Sequence, residues 1–135
     1  MKYLLDTNIW LEVLLGQNKA DSVRQFIQLT DSTQLAITDF SLFSIGIILL
    51  QLKKDNVYQE FITDILENAN VTRLHLESDE LKILPVVAKE YNIDFDDAYQ
   101  YLASEKYDLI LVSFDSDFDS TPRKRKSPEE FLPSE

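Results

Sequence analysis

Residues Lys2 to Glu12 read KYLLDTNIWLE. A short apolar run, Tyr3-Leu4-Leu5, ends on a single carboxylate, Asp6. Thr7 and Asn8 follow, and then apolar residues at helical spacing, Ile9, Trp10, Val13 and Leu14. The pattern predicts a buried first strand, a sharp turn and a helix. Asp6 then stands at the carboxyl end of the strand, the edge along which ligands bind in open α/β sheets.

The remaining chain repeats that alternation. Gly16-Gln17-Asn18 marks a turn, and Ala20 to Leu29 places Val23, Phe26, Ile27 and Leu29 on one helical face. After the loop Asp31-Ser32-Thr33, Leu35-Ala36-Ile37 reads as a second buried strand. Phe40 to Leu52 is apolar nearly all round, which predicts a helix buried on most sides or used in an interface. Ser41, Ser44 and Gly46 would let neighbouring backbones approach it. Asp55 to Leu66 is the next helix, and Val71 to Leu76 alternates like a third strand. Ser78 is expected to cap a helix carrying Asp79 and Glu80 in its first turn, with Pro85 kinking or splitting it. Asn92-Ile93 closes that helix. Asp94 then reads as an N-cap, with Asp97 at capping-box spacing. Leu109 to Val112 is the fourth strand. Ser127-Pro128-Glu129-Glu130 predicts a short terminal helix with proline at its first position, followed by a loose end. Strands alternating with helices give a three-layer α/β/α fold with a central parallel sheet, one domain over residues 1–135, of which 123–135 are a basic loop and short helix or tail.

The chain has 135 residues, enough for a substantial core. Its 24 acidic against 13 basic residues give a net charge of −11, which does not draw a phosphate backbone globally. Any nucleic-acid contact needs a local basic patch, and Arg123-Lys124-Arg125-Lys126 is the candidate; the plainer reading is a solvated loop. The longest apolar stretch is too short to span a bilayer. With no cysteine there is no disulfide and no thiolate metal site. No leader-like run precedes the first strand, so a cytoplasmic location is the default expectation.

The acids carry the chemistry. Asp6 and Asp115 each end a predicted strand, so parallel neighbouring strands bring both to one sheet edge. Asp97, in the first turn of a helix, can point into the same cleft, and Asp117 lies two residues beyond Asp115. Carboxylates gathered in one dry cleft repel and either take up protons or hold a cation. Carboxylate and water ligands without sulfur or imidazole suit Mg²⁺ or Mn²⁺, ions that activate water and stabilise charge on a phosphodiester. Against this stand simpler readings: an Asp at a strand end is commonly a turn residue, and Asp97 can be a helix-start charge. Asp96 and Asp119 read as solvated, His75 as structural and Trp10 as packing.

Three stretches taken together tip the balance. LLDTNIWLE resembles the opening of a PIN domain, the nuclease fold of many ribonuclease toxins of toxin–antitoxin pairs. DFDDAYQYLA, Asp94 to Ala103, is similar to that family's central Asp-Ala helix start. LILVSFDSDF, Leu109 to Phe118, is similar to its last strand and T-x-D-x-x-F-type motif, with Ser113 in the threonine place. The resemblance implies that Asp6, Asp97 and Asp115 hold Mg²⁺ or Mn²⁺, with Asp117 as a further ligand, and that Asn8 and Ser113 orient the acids. It implies an RNA substrate, a homodimer and a small antitoxin partner. One departure is plain. The family places a further acid, most often Glu, near the start of the helix after the second strand, where this chain has Phe43 or Ser44; Asp39 is the candidate substitute. The competing class is a degenerate PIN domain that binds protein or RNA without cutting. An aspartyl phosphatase with a D-x-D start is disfavoured by Asn8, and a receiver domain by the lack of a suitably placed lysine after the last strand.

Overall fold

Four short strands form one parallel sheet in the computed structural model, which describes residues 1–133. They are β1 (Tyr3–Leu5), β2 (Leu35–Thr38), β3 (Thr72–Leu74) and β4 (Ile110–Val112), in the order β3-β2-β1-β4. Tyr3 pairs with Leu35 on one side and Ile110 on the other. A sheet buried on both faces needs apolar residues at successive positions, and Leu35 to Thr38 are all buried. Side chains alternate across it. Leu4, Ala36 and Leu111 enter one core cluster, with Leu84 and Tyr101. Leu5, Leu35, Ile37 and Val112 enter the other, with Trp10, Phe26, Ile45 and Phe61.

Helices α1 (Thr7–Leu14), α2 (Ala20–Leu29), α3 (Asp39–Gln51) and α4 (Asp55–Ile62) supply the second cluster, and α5 (Ser78–Tyr91) and α6 (Phe95–Lys106) the first. The three-layer α/β/α expectation holds. The chain runs outward through β1, β2 and β3 and then returns to the other side of β1 as β4. The strand order therefore reverses between β1 and β4, the point where α/β sheets open a crevice at their carboxyl ends.

Several local expectations are corrected. The helix expected to reach Leu66 ends at Ile62 and continues as a π-helical turn, Thr63–Asn68. Ser78 is the first helical residue of α5 rather than its cap. Glu77 takes the cap, and its N–H donates to the Glu80 carboxylate at 2.8 Å. Pro85 does not split α5: it lies on the exposed side, where solvent can meet the Leu81 carbonyl left without a donor. Asp94 does cap α6 by position, but no capping box forms there. Gly46 meets a side chain and not a backbone, since a Cβ there would sit 3.1 Å from the Tyr58 ring. The terminal turn Pro128–Phe131 forms as a 3₁₀ helix, with the Ser127 N–H donating to Glu130 at 2.7 Å. The loose end expected after it runs into residues 134–135, outside the described residues. Among the described residues no helix is long and apolar enough to cross a membrane.

Candidate acidic active site

The crevice between β1 and β4 is a cavity of about 380 Å³. Asp6, Asp96, Asp97 and Asp115 line one side with Thr7, Asn8, Ser44 and Gln100, and Leu11, Phe40, Ile47 and Ile48 form an apolar wall. Asp6 arrives on the end of β1 and caps α1, accepting the Thr7 N–H at 2.8 Å. Asp97 arrives on the first turn of α6. Asp115 follows β4 and caps a 3₁₀ turn, Ser116–Ser120, by accepting the Asp117 N–H at 2.9 Å. Each acid thus leaves a different element where that element meets the crevice.

Asp97, Asp115 and Asp117 each present a carboxylate oxygen within 4.8 Å of the other two. Asp6 lies deeper, 6 % exposed, and is held by hydrogen bonds. Its Oδ1 accepts from Thr7 N and from Gln100 Nε2 at 3.0 Å, and its Oδ2 accepts from Ser113 Oγ at 2.7 Å. Burial raises the Asp6 pKa, opposed by the Gln100, Ser113 and Thr7 hydrogen bonds. Burial, and then the charges of Asp115 and Asp6, push the Asp97 carboxyl up to about 7. Among the described residues no Lys or Arg lines the crevice, so the repulsion between its carboxylates is relieved only by proton uptake or a cation.

Of the two polar residues expected to orient the acids, Ser113 bonds Asp6 directly and Asn8 reaches it only through Ser113. Ser113 Oγ donates to Asp6 and accepts from Asn8 Nδ2 at 3.2 Å and from Asp115 N at 3.0 Å. Asn8 Oδ1 also accepts the Phe114 N–H at 3.3 Å. This one serine hydroxyl ties the ends of β1 and β4 together.

Other candidates lie elsewhere. Asp39, the proposed substitute acid, does not line the crevice; its carboxylate pairs with the Arg73 guanidinium on neighbouring β3. Of the two α3 positions where the family carries its acid, Phe43 is 58 % exposed, while Ser44 faces the crevice. The basic tetrad covers the open edge of β4. Lys126 N donates to Leu111 O and Ser113 N donates to Lys126 O, both at 2.9 Å. Arg123 is tied to Asp108 and the Leu109 carbonyl, Arg125 to Asp119 and the Ser113 carbonyl, and Lys126 to Glu130. Only Lys124 of the four makes no ion pair among the described residues. Asp96, expected to be merely solvated, borders the crevice, whereas Asp119 serves Arg125. His75 is exposed and pairs with Glu77, outside the crevice. Trp10 packs edge-on against Phe61, its ring 5.5 Å away.

The sequence does not mark Gln100 or Thr38 as site residues, and it marks Ser41 only as a small residue for close backbone approach. Gln100 follows Asp97 at i, i+3, the spacing that puts two side chains on one helical face, and that was the available signal. Thr38 and Ser41 carry none beyond capping propensity.

The PIN domain family profile matches residues 3–124. Among solved structures, the fold is similar to a toxin–antitoxin complex from Klebsiella pneumoniae, at 17% identity and a TM-score of 0.76, covering 94% of this chain and 98% of that one. It is similar to FitAcB from Neisseria gonorrhoeae at 20% identity and a TM-score of 0.77, covering 96% and 99%. It is also similar to VapC20 from Mycobacterium tuberculosis, a toxin that cleaves the sarcin-ricin loop, at 15% identity and a TM-score of 0.74, covering 90% and 95%. No curated protein matches the chain in sequence. With the profile spanning nearly the whole chain and the crevice lying where the sheet order reverses, this chain belongs to the PIN-domain family.

Proposed function

We propose that this chain is a Mg²⁺- or Mn²⁺-dependent endoribonuclease and the toxin of a toxin–antitoxin pair. The observation that carries the reading is that Asp6, Asp97 and Asp115 line one crevice, with the exposed Asp117 carboxylate within 4.8 Å of those of Asp97 and Asp115. The donors are all oxygen and mutually repelling, which fits a hard divalent cation. Asp97, Asp115 and Asp117 would hold it, with Asp6 on the strand side. When bound, such an ion supplies Lewis acidity toward a phosphodiester and a nucleophilic water at neutral pH. The chain's own residues prepare the site: Ser113 and Asn8 fix Asp6 against the turn that carries Asp115, and Leu11, Phe40 and Ile47 close one side with apolar surface. Lys124 is the residue of the tetrad left for an RNA phosphate. The neighbours described as toxins or toxin–antitoxin complexes support the transfer of function and of a small antitoxin partner. A homodimer goes with it, supported by Phe43 and Leu50, two helical turns apart on one face of α3 and 58% and 53% exposed. The location consistent with this activity is the cytoplasm.

One observation favours the second reading, a non-catalytic binding module: α3 offers Ser44 and no acid to the crevice. Cleavage of single-stranded RNA with Mn²⁺, comparing wild type with Asp6→Asn, separates the two. We expect the variant to fall about 100-fold, equivalent to about 2.7 kcal/mol of lost transition-state stabilisation. A wild type no faster than Asp6→Asn leaves the binding module.

A further inference from the structure

Gln100 is a polar side chain in the most buried stretch of α6, 1 % exposed, and every polar atom of its amide has a partner. Its Nε2 donates to Asp6 Oδ1 at 3.0 Å and to Ser41 Oγ at 2.8 Å, and its Oε1 accepts from Thr38 Oγ1 at 2.7 Å. The orientation follows from chemistry, because an ionised carboxylate only accepts and so must face the NH₂ end. Thr38 Oγ1 in turn accepts the Ser41 N–H at 3.1 Å and is fixed by it. One amide therefore links the ends of β1 and β2, the start of α3 and the face of α6.

A carboxylate oxygen has two lone pairs. Oδ1 of Asp6 has both engaged, by Thr7 N and Gln100 Nε2, while Oδ2 accepts only from Ser113. We infer that Gln100 is the positioning residue that turns Asp6 for cation binding, occupying Oδ1 so that Oδ2 alone is left to reach the ion. A glutamate of the same shape cannot do this, since it would set a second acceptor against Oδ1. The neutral amide is thus a requirement of the site and not a filler of core volume. The inference rests on the cation reading above and adds to it which oxygen of Asp6 is used and what selects it.

The test measures Mn²⁺ affinity by titration calorimetry, with melting temperature alongside. Gln100→Met keeps the length of the side chain and removes its hydrogen bonds; we expect Mn²⁺ to bind about 10- to 100-fold more weakly, the usual cost of losing a group that orients a ligand. Thr38→Val does not touch Asp6 but releases the carbonyl end of Gln100, so it should weaken Mn²⁺ binding in the wild type and add nothing in the Gln100→Met background. A purely structural role would lower the melting temperature in both variants and leave Mn²⁺ affinity unchanged, which overturns the inference while the cation site stands. Wild-type protein that binds no Mn²⁺ overturns the cation site and this inference with it. Asp6 contacting Mn²⁺ through Oδ1 in a soaked crystal would equally refute the assignment.

Discussion

Replacing Asp97 with Asn should make the cation-free protein more stable, although it removes a residue of the candidate active site. Asp97 in the folded chain is pushed up to about 7 from 3.8, first by burial and then by Asp115 and Asp6. A carboxyl with a raised folded pKa contributes stability below its unfolded pKa, and that stability is lost as pH rises through the folded pKa. At about 1.36 kcal/mol per unit, full expression at pH 8 would cost the fold about 4 kcal/mol. Asp97 borders an open crevice, and solvent screening reduces this to about 1–2 kcal/mol. For a domain of this size that is roughly 4–8 °C of melting temperature. The assay is thermal unfolding followed by circular dichroism, in EDTA, at pH 8 and pH 5. Asp97→Asn should melt above wild type at pH 8, and the gap should shrink to about a third at pH 5, where wild-type Asp97 is itself protonated in the fold. Millimolar Mn²⁺ should reverse the order, since the wild type gains stability from an ion that the variant holds poorly. Equal melting of the two proteins at pH 8, or a gap that does not depend on pH, would refute the picture of unneutralised charge in the crevice.

Ser44→Glu adds a carboxylate to the crevice from α3 and should bind Mn²⁺ about tenfold more tightly, roughly 1.4 kcal/mol, while melting lower in EDTA; calorimetry and unfolding check both halves. Asp39→Asn should leave RNA cleavage within about twofold of wild type and cost at most about 1 kcal/mol, because its partner Arg73 is half-exposed; a loss matching that of Asp6→Asn would make Asp39 a ligand after all. Phe43→Glu combined with Leu50→Glu should leave the fold intact, since both side chains are exposed, and convert a dimer to a monomer in light scattering; a wild type that is already monomeric removes the dimer.

The order of elements, the parallel sheet and the meeting of Asp6 and Asp115 at one sheet edge were legible in the chain itself. Period and punctuation are local properties, and a run such as Leu35-Ala36-Ile37 followed by Thr38-Asp39 states both a buried strand and its end. The sequence also carried the departure on α3, because the lack of an acid there is a matter of residue identity. It could not say that Asp39 turns to Arg73, which depends on β3 lying beside β2, with Ile37 paired to Arg73. Nor could it say that three members of the basic tetrad serve the edge of β4 and Asp108, Asp119 and Glu130, partners that only the closed sheet edge brings within reach. Gln100 is the clearest case. In sequence it is a polar residue among tyrosines in an otherwise ordinary helix. Its role exists only where Asp6, Ser41 and Thr38, distant by 94, 59 and 62 positions, converge on one amide. Local pattern determines what a segment becomes, while long-range packing decides which polar groups it must satisfy, and the acid site is built from the second kind of information.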